Sequence, residues 1–308
     1  MDLTLDFQKL EAIMRELSLQ AGDAIMEIYN GSDFEVKSKS DNSPVTAADE
    51  SADALISVGL LKAFPDVTLI TEEQFDSHSL IDSTFLIVDP LDGTKEFIQR
   101  RGDFTVNIAY VENGIPIRGI VYAPAKRRLF YTDSLGVSVE ETGHLQQDEV
   151  GSRHPILVST PNNEALRVVA SKSHRDQATD NYISKYETVD VKSAGSSLKF
   201  CLIATGEADF YPRMGRTMEW DTAAGHAILI GAGGDVVRFD DLSPLTYGKA
   251  DYENPFFIAY AKAFCFSSTN RKLCAIGVIC KRYCILIFNS HLLMHSVNNW
   301  LELQISVY

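Results

Sequence analysis

Positive charge is scarce in this chain: 28 Lys and Arg stand against 42 Asp and Glu in 308 residues, a net charge of −14. Such a balance repels a polyanion held along its backbone and argues against DNA or RNA polymers as partners. A small phosphorylated ligand remains compatible, because metal ions invert the charge of a single site. A secretion leader is also missing: Met1 to Asn30 has acidic residues among its first six and no basic stretch running into an apolar one. The five cysteines of an unexported chain are therefore expected as reduced thiols rather than a disulfide frame. Repeats and low-complexity tracts are absent. The 45% of apolar residues supply a core for two ordinary domains or one large layered one, which excludes disorder as the dominant state.

Two further absences concern the last stretch. Cys265, Cys274, Cys280 and Cys284 lack the paired C-x-x-C spacing of common zinc sites. The apolar run from Leu273 to His295 is interrupted by Lys281 and Arg282, which argues against a spanning helix. Residues 262–308 hold five basic residues and one acidic, so they carry +4 and residues 1–261 carry −18. This segment reads as an appended extension created by a shifted or read-through frame, with an interfacial segment as the alternative.

What is present is ordered by periodicity. Leu10, Ile13, Met14, Leu17, Ala21, Ala24, Ile25 and Ile28 recur at helical spacing before Gly31. A turn and second helix follow over Pro44–Leu61, then β-like runs at Val67–Ile70, Phe85–Val88, Val106–Val111 and Gly119–Tyr122. Beyond a polar stretch around Glu140–Pro155, strands at Arg167–Ala170, Glu187–Val191, Asp209–Tyr211 and Asp235–Arg238 alternate with helices near Asp176–Lys185, Ser196–Thr205 and Thr222–Ile230. A boundary is placed near residue 155. It divides residues 1–155, an α+β subdomain, from residues 156–261, an α/β subdomain, with the extension 262–308 after them.

Chemistry concentrates where apolar runs end in acids. Val88-Asp89-Pro90-Leu91-Asp92-Gly93-Thr94 sends two carboxylates off the end of a strand, with Pro90 fixing one backbone angle and Gly93 permitting an unusual one. Two such acids can bracket a hard cation, and a helix opening near Thr94 would turn free amides toward a phosphate. Helix or turn capping is the alternative for Asp89 and Asp92. Glu72-Glu73 follows Val67–Ile70 in the same way, or simply solvates the surface. Asp221 opens the helix of Thr222–Ile230, where N-capping is the competing job. Three acidic ends of distant segments are how a layered fold assembles an oxygen-rich cation site.

Taken together, Asp41-Asn42-Ser43-Pro44-Val45-Thr46-Ala47-Ala48-Asp49, Thr71-Glu72-Glu73, Asp89 to Phe97 and Trp220-Asp221-Thr222-Ala223-Ala224-Gly225 resemble the inositol monophosphatase superfamily of metal-dependent, lithium-sensitive phosphatases. Lys95-Glu96-Phe97 after Asp-Gly-Thr, and Gly195-Ser196-Ser197-Leu198-Lys199-Phe200-Cys201, resemble its bacterial CysQ-type 3′(2′),5′-bisphosphate nucleotidases more than its inositol phosphatases. The likeness covers roughly residues 10–260 and implies a layered αβαβα sandwich combining α+β and α/β parts. It implies that Glu72, Asp89, Asp92 and Asp221, with the Leu91 carbonyl, ligate two or three Mg²⁺. It implies that Thr94 and Asp49 orient the attacking water and that Gly93 and Thr94 offer amides to phosphate. It also implies nucleotide contacts by His174, Ser196, Lys199 and Arg213. A loop role for His174 and a solvated helix face for Lys199 are the alternatives.

The implied reaction is removal of the 3′-phosphate from adenosine 3′,5′-bisphosphate, or from its sulfated precursor, in sulfur assimilation, without a Cys or Ser nucleophile. The competing functions are an inositol or sugar monophosphate phosphatase and a non-catalytic phosphonucleotide-binding protein. The expected partner is a small phosphorylated nucleotide. The expected location is cytoplasmic; peripheral attachment to the cytoplasmic face of the inner membrane and a homodimer are left open.

Overall fold

The computed structural model describes residues 5–31, 36–38, 44–80, 82–171, 175–267 and 272–274. It falls into two compact units, Met1–Lys262 and Ala263–Tyr308. The first unit begins with α1 (Phe7–Asn30), a short antiparallel pair of β1 (Val36–Ser38) with β2 (Pro44–Thr46), and α2 (Ala47–Ala63). Asp6 caps α1 by accepting from the amides of Gln8 and Lys9, and the expected stop at Gly31 holds.

A seven-stranded sheet follows in chain order: β3 (Thr68–Thr71), β4 (Thr84–Asp92), then after α3 (Thr94–Ile98) β5 (Thr105–Glu112), β6 (Ile115–Ala123), β7 (Arg128–Thr132), β8 (Ser138–Thr142) and β9 (Ser152–Pro155). Only β3 and β4 pair parallel; the rest is an antiparallel meander. The second half contributes β10 (Leu166–Ser171), α4 (Gln177–Ile183), β11 (Thr188–Ala194), α5 (Leu198–Ala204), β12 (Phe210–Arg213), α6 (Ala223–Gly231), β13 (Asp235–Arg238) and β14 (Phe257–Tyr260). Their five strands lie in the order β11-β10-β12-β14-β13, with the first three parallel and β14 antiparallel to both its neighbours.

The layering follows from which faces are apolar. Strand β4 is buried along nearly its whole length because both faces are covered. Leu86 and Val88 join Ile56 and Leu60 of α2 and Met14 and Ile25 of α1 in one core. Phe85 and Ile87, one residue out of phase, join Phe200 of α5 and Ile228 of α6 in the other. Helix α1 has one polar face and lies outermost, whereas Ala223 to Leu229 of α6 is buried all round, as a helix between two sheets must be. Gly119 permits that approach: a Cβ there would stand 2.5 Å from the Ala224 carbonyl oxygen. Helix α4 covers the outer face of the second sheet, where Tyr182 packs edge-on to Phe239. The result is the αβαβα sandwich.

Three differences from the sequence reading have physical causes. The polar stretch Glu140–Pro155 contains the end of β8 and all of β9, whose four residues are exposed; an edge strand in water shows no apolar alternation. Strand β4 does not stop at Val88 but runs on through Asp89 to Asp92 across a register shift. Helix α6 starts at Ala223, and Asp221 belongs to the preceding turn.

In the second unit, β15 (Cys265–Ser267) pairs antiparallel with β16 (Lys272–Cys274), with Cys265 opposite Cys274. Cys265 is disulfide-bonded, which corrects the expectation of reduced thiols for this residue. Cys201 is a free, buried thiol, and Cys280 and Cys284 lie outside the described residues. Among those described, no helix is long and apolar enough to cross a membrane.

Candidate active site

Asp89 and Asp92 are three residues apart, and on an uninterrupted strand they would face opposite sides of the sheet. The β4–β5 register instead passes from Asp89↔Asn107 to Asp92↔Thr105. Pro90 and Leu91 therefore oppose the single residue Val106, a bulge that returns Asp92 to the side of Asp89. Proline suits this place, having no amide to leave unpaired. The chain then turns sharply at Gly93, whose φ is +93° and whose Cβ would stand 3.1 Å from the Asp103 carbonyl oxygen, and α3 opens at Thr94.

Carboxylate oxygens of Glu72, Asp89 and Asp221 lie within 4.8 Å of one another. Glu72 follows the last residue of β3, tied to β4 by its amide on the Val88 carbonyl at 3.1 Å. Asp221 is held by its own turn, Oδ2 accepting from the Met218 amide at 2.8 Å. It does not cap α6, the alternative left open above. Asp89 is buried, and its Oδ1 accepts from the Leu91 amide at 3.0 Å.

Asp92 lines the same cavity outside that triad, its Oδ2 accepting from the Ser197 amide at 2.5 Å and the Asn107 amide group at 3.3 Å. Ser197 in turn donates to Asn107 at 2.6 Å. Neither Asn107 nor Ser197 was picked from the sequence. An Asn between Val106 and Ile108 in an apolar strand is the signal that finds the first.

The acids are held against their charge. Burial, then repulsion from Glu72, Asp92 and Asp221, drives the Asp89 carboxyl well above the carboxylate range. Burial, then repulsion from Asp92 and Glu72, pushes Asp221 up to about 8. Asp92 rises to about 6 through burial, with Lys199 and the Ser197 amide pulling the other way. An all-oxygen set of crowded, desolvated carboxylates fits a hard cation, which removes the repulsion they otherwise bear.

This has a measurable sign. A carboxyl whose folded-state pKa is raised binds protons that the unfolded chain, at 3.8, has already released. Metal-free stability therefore falls as pH rises from about 4 toward 8, and a divalent cation restores it. Scanning calorimetry should show a larger Mg²⁺-induced rise in Tm at pH 8 than at pH 5.5. Equal shifts at both pH values would contradict it.

Beside the acids stands a second pair. Asp49 occupies the third position of α2 and closes a capping box, its Oδ2 accepting from the amide and hydroxyl of Thr46, each at 2.7 Å. That leaves Oδ1 facing Thr94 Oγ1 at 3.0 Å, while the Thr94 hydroxyl also lies 3.3 Å from the Leu91 carbonyl. Burial raises the Asp49 pKa against the hydrogen bonds from Thr46 and Thr94.

Glu72, Asp89, Leu91, Asp92, Thr94 and Asp221 line one cavity of about 780 Å³, whose lining also includes Ser196, Lys199 and Arg213. Lys199 is only 5% exposed, which removes the solvated-face alternative. Its Nζ donates to the Ser196 carbonyl and stands 5.2 Å over the Tyr211 ring. Burial lowers it to about 8, opposed by Asp92. Ser196 has φ of +50° at the entry to α5. Arg213 ends β12, donating to the Arg216 carbonyl at 2.8 Å. Arg216, Phe75, His78 and Trp220 also line the cavity; Trp220 was quoted only as part of the Asp221 motif, and none of the four was picked as a site residue, because nothing in their residue types pointed to a role. His174 lies outside the described residues.

The inositol monophosphatase family model matches residues 6–264. The 3′(2′),5′-bisphosphate nucleotidase CysQ of Salmonella typhimurium is 44% identical over 224 residues, 72% of this chain and 87% of its own. That of Escherichia coli K12 is 43% identical over 246 residues, 79% of this chain and 96% of its own. Among solved structures, CysQ from Bacteroides thetaiotaomicron superposes with a TM-score of 0.71 at 36% identity, covering 84% of this chain and 99% of that one. With its bulged acid strand, its threonine–aspartate pair and these relatives, the chain belongs to the inositol monophosphatase family.

Proposed function

We propose that this chain is a Mg²⁺-dependent 3′(2′),5′-bisphosphate nucleotidase that hydrolyses adenosine 3′,5′-bisphosphate to AMP and phosphate, and its sulfated precursor to adenylyl sulfate. The observation that carries the proposal is one cavity lined both by the converging acids Glu72, Asp89 and Asp221 and by the basic side chains of Lys199 and Arg213. A substrate with two separate phosphates uses both a cation held by the acids and the two basic side chains, whereas a sugar monophosphate needs only the first. The relatives named CysQ, similar over most of their length, support the same substrate class.

In this reading Glu72, Asp89, Asp92, Asp221 and the Leu91 carbonyl would hold Mg²⁺. Bound there, the metal neutralises phosphate oxygens, lowers the pKa of water and stabilises the departing 3′ oxygen. Thr94 donates its one hydroxyl proton to Asp49 Oδ1, so its lone pairs face outward to accept from the attacking water. That hydrogen bond aims the water at phosphorus. Asp49, clamped by Thr46 and held at a raised pKa, is placed to take up proton density as the water attacks. Gly93 turns the backbone so that the first amides of α3 face the cleaved phosphate. Lys199 and Arg213 hold the phosphate that stays.

Initial rates on adenosine 3′,5′-bisphosphate and inositol 1-phosphate, measured side by side at saturating Mg²⁺, test the substrate. The bisphosphate is expected to have the higher kcat/KM, by about tenfold or more if the second phosphate adds one charge-assisted contact of about 1.4 kcal/mol. Preference for inositol 1-phosphate would assign the chain to the monophosphatases instead.

A further inference from the structure

Glu72 and Asp221 come from opposite halves of the fold, on a turn after β3 and a turn before α6. Neither is held by a ladder on both sides, and their charges repel. Something must set their separation. The short 3₁₀ turn Phe75–Ser79 follows Glu72, and its His78 contacts a neighbour of each acid.

On one side His78 Nε2 lies 2.8 Å from the carbonyl oxygen of Thr71, the peptide immediately before Glu72. A carbonyl only accepts, so Nε2 carries the proton and donates. On the other side the imidazole stacks on Trp220, the residue immediately before Asp221, at 4.8 Å between centroids and 23° between planes. Tyr252 reinforces the join: its ring lies 6.0 Å from that of Trp220, its hydroxyl donates to the Leu80 carbonyl just past the 3₁₀ turn, and its own carbonyl accepts the Glu219 amide at 2.7 Å. Each acid is thus one residue from an atom or ring that His78 contacts.

We propose that His78 is a positioning residue for the cation site, its ring bridging the peptide before Glu72 and the indole before Asp221 so that the two carboxylates keep the spacing a cation needs. The proposal rests on the reading of Glu72, Asp89 and Asp221 as cation ligands. Partners that orient metal ligands from outside the ligand shell act on affinity through geometry.

Equilibrium binding of Mn²⁺ alone to the full chain, followed by the electron paramagnetic resonance of the free ion, tests it. Glu72→Gln comes first: it should weaken Mn²⁺ binding, and unchanged binding there would overturn the ligand reading itself. His78→Ala should then weaken Mn²⁺ binding by about tenfold, the lower end of what such outer partners cost. His78→Phe, which keeps a ring on Trp220 and loses the N–H, should weaken it several-fold. Both should raise the Mg²⁺ concentration for half-maximal turnover with little change in KM for the nucleotide, a split that general loosening of the fold would not give. If His78→Ala fails to fold, His78→Phe decides. Wild-type Mn²⁺ affinity in His78→Phe, where Glu72→Gln has lowered it, overturns the proposal.

Discussion

Asp89→Asn is expected to lower kcat by about a thousandfold while raising the melting temperature of the metal-free protein. The substitution is isosteric, and the Asn side-chain oxygen can still accept the Leu91 amide that Asp89 holds at 3.0 Å. What it removes is one negative charge at the centre of the Glu72, Asp89 and Asp221 cluster. A metal supplies several kcal/mol of charge stabilisation to the reacting phosphate, and a site that holds it poorly loses about 4 kcal/mol, or three powers of ten. The stability change has the opposite sign because Asp89 is buried against three like charges that drive its pKa up. A neutral amide ends that repulsion. Steady-state kinetics and calorimetry in chelator read the two effects. A kcat within a few-fold of wild type, or a lowered metal-free Tm, would remove Asp89 from the centre of the site.

The second large effect belongs to Thr94→Ala. The hydroxyl is placed by Asp49 Oδ1 at 3.0 Å, while Thr46 occupies Oδ2. In the proposed mechanism the attacking water then has neither its acceptor nor its connection to Asp49. Positioned proton-transfer groups contribute about 10²–10⁴-fold, so kcat should fall by about 10³ with KM altered less than threefold. Asp49→Asn should fall to a similar level, and the double variant little further, because the two groups act as one unit. A rise in KM with kcat preserved would make Thr94 a substrate contact and leave the water to another group.

The sequence was most legible where local chemistry repeats a rule. Leu10 to Ile28 announces α1 by its period, and the acids after Val67–Ile70 and Phe85–Val88 lie where the strands deliver them. The bulge was not legible. Nothing in Asp89-Pro90-Leu91-Asp92 states that two residues will oppose Val106, although that is what puts both carboxylates on one side. Edge strand β9 was hidden because all four of its residues face water.

Contacts between distant segments were the least legible part. Asn107 and Ser197 hold Asp92, and His78 meets Trp220 across well over a hundred residues; no spacing along the chain encodes those meetings. Lys199 read equally well as solvent-facing until the packing of α5 between two sheets buried it. The carboxylates, by contrast, were picked because three apolar segments end in acids and because the motifs around them resemble one family, not because any one of them stood out alone.

Phosphate release from adenosine 3′,5′-bisphosphate, followed as a function of Mg²⁺ after exhaustive chelation, tests the metal-dependent reaction most directly. The chelated enzyme should show no turnover, Mg²⁺ should restore it, and the half-saturating Mg²⁺ concentration should rise sharply in Glu72→Gln. Turnover that survives chelation, or a Mg²⁺ dependence that Glu72→Gln leaves unchanged, would contradict this reading.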